Sequence, residues 1–256
     1  MINQEHYKAT IEYDGTDFYG FQIQPGVRTV QSELETVLST LQGGAPVRAR
    51  GAGRTDRGVH ATGQVVDFHL YWQKHEAALQ RSMNALLPED VVVHALSRVP
   101  AEFHSRYDAL SRTYQYTLYN APYRHPLLRR STLYVPFPLD EAAMDEGVRQ
   151  LHGEHDFAAF GRATTDSENT VRTMISCRVW REGALVKVEL QATGFLFRMV
   201  RSIVGCLLLI GRSEQLPAWM EELLVSGNRQ LAATVIPPTG LCLIDVHYPH
   251  LQTPLS

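Results

Sequence analysis

Apolar and polar residues alternate near the start of the chain, and this period of two predicts a half-buried strand. Tyr7, Ala9, Ile11 and Tyr13 would share one face of that strand. After the loop DGTDFYGFQIQPG the spacing becomes helical, behind a Thr29 that can cap a helix. The apolar stripe of this helix consists of Val30, Leu34, Val37, Leu38 and Leu41, and Gly43 and Gly44 end it.

The same two periods continue through the first hundred residues. Further strands are predicted near 47–50 and at 64–70 and 91–99, and a helix at 75–87. The order strand, helix, strand, strand, helix, strand is typical of a ferredoxin-like unit.

The second half of the chain repeats a similar plan. Strands are predicted at 113–120, 173–180, 185–190 and 241–248, with one helix opened by Asp140 and another beginning near Phe195. These elements predict an α+β protein of two ferredoxin-like halves, residues 1–105 and 106–256, which share a mixed, mostly antiparallel central sheet with a cleft between them.

The composition is that of a globular protein: among 256 residues, 44% are hydrophobic and 20% charged. The longest apolar stretch, residues 195–210, is shorter than the roughly 18 residues of a membrane helix and contains Arg198 and Arg201. The segment MINQEHYKAT lacks the basic and apolar regions of a signal peptide. We therefore expect a cytoplasmic protein that is not bound to a membrane.

Cysteine and histidine spacing favours neither a disulfide nor a metal site. Cys177, Cys206 and Cys242 lie far apart in apolar segments, and His152 and His155 have no obvious third ligand. We expect no bound metal.

Arginine accounts for most of the positive charge, although the net charge is −3. Only Lys8, Lys74 and Lys187 are lysines. Arginines concentrate at Arg48, Arg50, Arg54 and Arg57, and again at Arg106, Arg112, Arg124, Arg129 and Arg130. This preference suits bidentate contacts to phosphate, but a coding bias towards arginine explains it equally well.

The segment GAGRTDRGVH places Asp56 between Arg54 and Arg57 on a loop rich in glycine. Glycines of this density allow a backbone to approach a ligand closely. The segment is neither a dinucleotide fingerprint, which needs glycine in place of Asp56, nor a Walker A loop, which needs Gly-Lys-Ser/Thr. What remains is an aspartate whose neighbouring arginines favour its charged form.

Residues 53–66, GRTDRGVHATGQVV, closely resemble the catalytic signature of the tRNA pseudouridine synthase A family. Further blocks resemble the family in the same order along nearly the whole chain. They are YDGTDFYGFQIQP, TVQSELE, NALLPEDV, FHSRYDALSRTYQYTLYN, GEHDFAAF, VRTM, GFLFRMVRSIVG and PPTGLCLIDVHY. The chain departs from the family pattern at Gly51, where cysteine is common, and at Arg57, where alanine is common.

The resemblance implies an isomerase that converts uridines 38, 39 and 40 in the tRNA anticodon stem-loop to pseudouridine. This reaction breaks the bond from ribose C1′ to uracil N1 and rejoins the base through C5, so it imports no group and needs no cofactor. The implied partners are tRNA and a second copy of the chain, because the family acts as a homodimer. The N-terminal half would carry the catalytic loop and the C-terminal half would complete the cleft.

The resemblance also assigns three central roles. Asp56 matches the catalytic carboxylate, Tyr114 the tyrosine that lies against the target uracil, and Arg201 the basic residue that pairs with the carboxylate. Asp56 and Tyr114 each have a purely structural alternative, an Asx-type turn for Asp56 and strand packing for Tyr114. An arginine on a largely apolar helix is costly unless it is paired, which favours a specific role for Arg201.

Four other arginines are candidate RNA contacts. Arg54 would help hold the flipped target nucleotide, unless it only forms an ion pair with Asp56. Arg57, Arg106 and Arg112 are predicted to contact RNA. Two other functions remain open: a pseudouridine synthase of the same fold with another RNA target, and a non-catalytic RNA-binding module.

Overall fold

The computed structural model describes residues 4–163 and 168–249. Within them, ten strands form one mixed, mostly antiparallel sheet, accompanied by five α-helices. The predicted α+β class is therefore confirmed. No helix of the described ranges is both long and apolar enough to cross a membrane.

The chain separates into two compact units. The first comprises the described residues up to Leu110 together with those from Leu243 onward, and the second comprises Ser111–Cys242. The division of roles between 1–105 and 106–256 stays a prediction.

The first unit contains the predicted ferredoxin-like order. Its elements are β1 (Glu5–Tyr13), α1 (Val30–Leu41), β2 (Ala49–Gly51), β3 (His60–Leu70), α2 (Glu76–Leu86) and β4 (Val91–Arg98). β1 pairs antiparallel with both β3 and β4, and β2 pairs with β3. As predicted, Thr29 caps α1: its side chain accepts a hydrogen bond from the Ser32 backbone amide.

The second unit is built around a long antiparallel meander. Its elements are β5 (Ser111–Asn120), β6 (Leu133–Val135), α3 (Glu141–Arg149), β7 (Gly153–Asp156), β8 (Val171–Glu182), β9 (Leu185–Ala192), α4 (Met199–Gly211) and α5 (Trp219–Ser226). β9 pairs antiparallel with β5 and β8, β7 pairs with β8, and β6 joins β5 in parallel. The last strand, β10 (Leu241–His247), contains the boundary between the two units.

One predicted helix begins later than expected. The pattern placed its start near Phe195, but α4 begins at Met199. The reason is Arg198, whose left-handed backbone (φ 63°, ψ 11°) cannot be part of a right-handed helix. Most of α4 is buried, and its hydrophobic residues line the core of the second unit.

Candidate active site

Asp56 lies on the loop that joins β2 to β3 in the first unit. Its side chain is half-buried, whereas Arg54 and Arg57 on either side are exposed. The backbone turns at this point, because the Val59 amide donates to the Asp56 carbonyl at 3.1 Å. The loop therefore presents one partly shielded carboxylate between two exposed guanidinium groups.

Buried side chains hold the first part of this loop through hydrogen bonds. Gln64 is fully buried; its Nε2 donates to the Gly53 carbonyl at 2.9 Å and its Oε1 accepts from the Gly53 amide at 3.3 Å. The hydroxyls of Tyr13 and Thr55 hydrogen-bond at 2.8 Å. Both residues adjoining Arg54 are thus held in place, which restricts where Asp56 can lie.

A second loop, residues 14–25, supports the Asp56 loop through backbone contacts. The Phe21 amide donates to the Thr55 carbonyl at 3.1 Å, and the Gly58 amide donates to the Phe18 carbonyl at 3.3 Å. Gly20 makes this approach possible: its φ is +93°, and a Cβ there would lie 2.7 Å from the Thr55 carbonyl oxygen.

Glycines in this region therefore allow segments of the protein itself to pack closely, and not only a ligand to approach. Gly58 has a positive φ of 78°, which a side chain disfavours. A Cβ on Gly51 would meet the Phe21 ring at 2.5 Å. The glycine-rich pattern predicted a close approach, but it did not reveal that the approaching group belongs to the same chain.

Arg57 stacks on Tyr19 beside Asp56. Its guanidinium carbon lies 4.1 Å from the ring centroid, and Tyr19 is itself exposed. An arginine that lies against an aromatic ring can still donate hydrogen bonds through its N–H groups. This geometry is suited to RNA contact.

A buried network that the sequence analysis missed lies next to this loop. The fully buried carboxylate of Asp67 accepts hydrogen bonds from His6 Nε2 at 2.9 Å, Arg50 Nε at 2.8 Å and the Ser105 amide at 2.9 Å. It therefore joins β1, the strand that leads into the Asp56 loop, and the segment that carries Arg106. One signal could have found it: Asp67 is an ionisable residue inside the apolar strand VVDFHL.

The pKa of Asp67 is lowered in spite of its burial. Burial raises this pKa, but the hydrogen bonds from Ser105, His6 and Arg50 together outweigh that effect. Asp67 is thus a charged structural anchor.

Arg106, adjacent to Ser105, is half-buried, and its guanidinium lies 5.8 Å from the exposed Tyr107 ring.

Tyr114 lies on β5 in the second unit with 8% of its surface exposed. Its ring meets Phe195 edge-on, with 5.0 Å between centroids. On the same strand Tyr116 and Leu118 are fully buried, and Tyr116 donates its hydroxyl to the Pro237 carbonyl at 2.7 Å. Tyr114 is therefore less completely enclosed than the next two residues of its face.

Arg201 lies in the first turn of α4, in the same unit. Its Nε donates to the Ile236 carbonyl at 2.7 Å, and the side chain is half-buried. Burial raises the pKa of Tyr116, and the Arg201 charge opposes that rise. Arg112 lies on β5, where its Nη1 donates to the Thr193 carbonyl at 3.2 Å.

The predicted residues thus divide between the two units. Asp56, with three of the arginines, lies in the first unit, and Tyr114, Arg112 and Arg201 lie in the second. Their convergence on one substrate stays a prediction. Within the described part of the chain, no group of three or more histidine, cysteine, aspartate or glutamate side chains could hold a metal ion.

Comparison with known proteins gives one consistent result. A family model described as tRNA pseudouridine synthase matches residues 9–108 and 148–249, which include Asp56 and Arg201 but not Tyr114. The chain is 41% identical over 244 residues to tRNA pseudouridine synthase A of Geobacillus kaustophilus, with 95% of each chain covered.

Two further relatives carry the same name. The Colwellia psychrerythraea protein is 40% identical over 243 residues, covering 95% of this chain and 93% of the relative. The Klebsiella pneumoniae protein is 41% identical over 246 residues, covering 96% and 91%. The similarity therefore covers more than nine tenths of this chain and of each of these relatives.

Proposed function

Because the chain belongs to the tRNA pseudouridine synthase family, we propose that it isomerises uridines 38, 39 and 40 in the tRNA anticodon stem-loop, with Asp56 as the catalytic carboxylate. Members of this family convert uridine to pseudouridine in tRNA, and the chain is an isomerase of this kind.

The observation that carries the proposal is the support of the Asp56 loop. The reaction needs one carboxylate at a defined position while the base detaches from ribose C1′, turns and reattaches through C5. The clamps on Gly53, Thr55 and Gly58 restrict the loop from both sides. A carboxylate held in this way can act as nucleophile or as base.

Tyr114 and Arg201 are proposed to complete the site. The Tyr114 ring, less enclosed than its strand neighbours, would lie against the target uracil. Arg201 would keep the Asp56 carboxylate charged when the substrate excludes water, because a buried carboxylate without a cation tends to take up a proton.

Base flipping is part of the proposal, because a uridine inside a stem is not accessible at C1′. Arg54, exposed next to Asp56, would hold the extruded nucleotide. Arg57 on Tyr19, together with Arg106 and Arg112, would contact the RNA. Recognition would depend mainly on shape and phosphate, as is usual for A-form RNA.

The proposed setting is the cytoplasm, with tRNA as the partner and the chain acting as a homodimer. The name shared by the relatives supports tRNA as the substrate. Sedimentation at micromolar concentration tests the dimer.

The function is tested with transcribed tRNA that carries tritium at C5 of uridine. The wild-type protein should release tritium and leave pseudouridine at positions 38 to 40. Asp56→Asn should release none, while its melting temperature and tRNA affinity stay those of the wild type. Asp17→Asn is the matched control, because it removes one charge from an exposed site on the neighbouring loop.

Three results would contradict parts of the proposal. Turnover by Asp56→Asn would remove the catalytic role of that residue. Pseudouridine at other positions would favour a synthase with another target. Tight tRNA binding by the wild type without any turnover would favour a non-catalytic RNA-binding module.

A further inference from the structure

Two arginines share one aromatic ring at the entrance to α4. The guanidinium carbons of Arg162 and Arg198 lie 4.9 Å and 4.8 Å from the centroid of the Phe197 ring. Both arginines are exposed, and the ring is half-buried. The two side chains thus place two like charges near one ring.

The backbone fixes this arrangement. The Phe197 amide donates to the Arg162 carbonyl at 2.9 Å, and the two residues form an isolated antiparallel bridge. The segments also pack closely, because a Cβ on Gly161 would lie 2.5 Å from Leu196 Cβ. Arg162 and Arg198 are therefore brought together by the bridge and the close packing of their segments.

Three other stacked arginines of the chain have carboxylate partners. Arg28 on Phe18 pairs with Glu33 and Asp90, Arg178 on Trp180 pairs with Glu189, and Arg212 on Phe137 pairs with Glu214. Among the described residues, the structure gives no carboxylate within ion-pair distance of Arg162 or Arg198. Both guanidinium groups are exposed at the surface of this part of the structure.

Arg198 keeps its position at a conformational cost. With φ 63° it is one of two non-glycine residues in the described ranges that adopt a positive φ. Glycine would adopt this backbone without strain, as Gly227 does at φ 58° after α5. Backbone strain of this kind persists mainly at functional sites. Glycine could form this turn but could not provide a guanidinium group, so the guanidinium accounts for an arginine at this position.

We propose that Arg162 and Arg198, placed around Phe197, bind a phosphate of the tRNA backbone and so position the RNA relative to the first turn of α4. This inference rests on the proposed function for its ligand. Guanidinium groups bind phosphate through paired N–H donors. The ring already carries two guanidinium groups, so a phosphate contact that does not depend on base identity fits better than base stacking.

The position of Arg198 next to α4 indicates what the proposed phosphate contact would do. Arg198 immediately precedes the helix, and Arg201 lies three residues later, in its first turn. A phosphate held at Arg198 would set how far along the strand the target nucleotide lies from Arg201. Both arginines of the pair are therefore positioning residues.

Arg198→Gly is the deciding variant, because glycine relieves the strain while it removes the guanidinium. The melting temperature should stay at or above that of the wild type. KM for tRNA should rise about tenfold, as expected for a lost charge-assisted phosphate contact. The slope of log affinity against log salt should fall in magnitude by about one. Arg162→Gln should change KM and the slope in the same way.

Arg178→Gln is the matched control, since Arg178 also stacks on an aromatic ring but is paired with Glu189. It should change neither KM nor the salt slope. Affinity is measured by titrating unmodified tRNA into the protein in the Asp56→Asn background, so the result does not depend on turnover. A stable Arg198→Gly protein with wild-type affinity and slope overturns the proposal. If Arg198→Gly does not fold, unchanged binding by Arg162→Gln overturns it.

Discussion

The first unit contains two aspartates, Asp56 and Asp67, whose surroundings differ. Asp56 is half-buried on a loop, whereas Asp67 has no exposed surface and is bound by His6, Arg50 and Ser105. A buried carboxylate is tolerated only when such partners replace its lost hydration. Asp67 therefore stabilises the frame in which Asp56 is held.

Removing the charge of Asp67 should destabilise the protein strongly. Asp67→Asn leaves Arg50 and His6 without their anionic partner, and breaking a buried pair in this way costs about 3–5 kcal/mol of unfolding free energy. Urea denaturation at neutral pH measures the loss. Glu214→Gln, which breaks the exposed pair with Arg212, should cost less than about 1 kcal/mol.

The pH dependence of stability provides a second test with the Asp67→Asn variant. The pKa of Asp67 is lower in the folded protein than the value of about 3.9 for an unfolded aspartate. Its stabilising effect is thus complete above that value and is lost as the pH falls through the folded pKa. The stability difference between the wild type and Asp67→Asn should shrink below about pH 4; a constant difference would contradict the assigned cause.

At this scale, sequence reasoning found residues with a local signature and missed those without one. Asp56 stands in a continuous motif, so its position was predictable. The partners of Asp67 come from residues 6, 50 and 105, and no periodicity brings these segments together. Only the folded sheet does.

Among elements, local signals explain which predictions succeeded. α1 and its Thr29 cap were predictable, because helical periodicity and capping act within a few residues. β7 (Gly153–Asp156) was missed, because its sequence GEHD has no apolar alternation. α5 was missed as well: eight residues are too few for a clear period.

The loop of residues 14–25 should control activity through Gly20. Gly20→Ala forces a side chain into a left-handed backbone and places Cβ 2.7 Å from the Thr55 carbonyl, so the Asp56 loop must shift. A displacement near 1 Å at a reacting group can reduce the rate by about 10². We expect kcat to fall by roughly tenfold to a hundredfold, measured by tritium release.

Gly26→Ala separates crowding from backbone strain. Gly26 also has a positive φ, +74°, but nothing lies within 4 Å of its added Cβ. This variant should lose about 1–2 kcal/mol of stability and retain wild-type kcat. Equal losses of kcat in both variants would mean that the contact with Thr55 is unimportant.

Considered as a whole molecule, the protein has a net charge of −3 and yet is expected to bind a polyanion. Binding must then depend on local arginines. Those proposed to contact RNA are Arg54, Arg57, Arg106, Arg112, Arg162 and Arg198.

Affinity for tRNA should therefore fall steeply with salt. Six phosphate contacts predict a slope of about −5 for log affinity against log salt concentration, because each contact releases condensed counterions. Fluorescence titration between low and moderate salt measures this slope. A slope near zero would contradict binding through these arginines.

The order of elements predicted two ferredoxin-like halves, and the α+β fold with one mixed sheet agrees with it. The alternating pattern at residues 241–248 also predicted the last strand. It could not indicate that the residues from Leu243 belong to the first unit, because pairing across such a distance leaves no local trace.

The strand β10 is synthesised last among the strands, and this order affects folding on the ribosome. Gly63 of β3 lies against the Ile244 backbone, the Leu110 amide donates to the His247 carbonyl at 2.8 Å, and Tyr248 donates to the Ser105 carbonyl at 2.6 Å. A ribosome delivers these partners only after all of Ser111–Cys242 has been translated. Until then, the nascent first unit has an open β3 edge that other chains can capture.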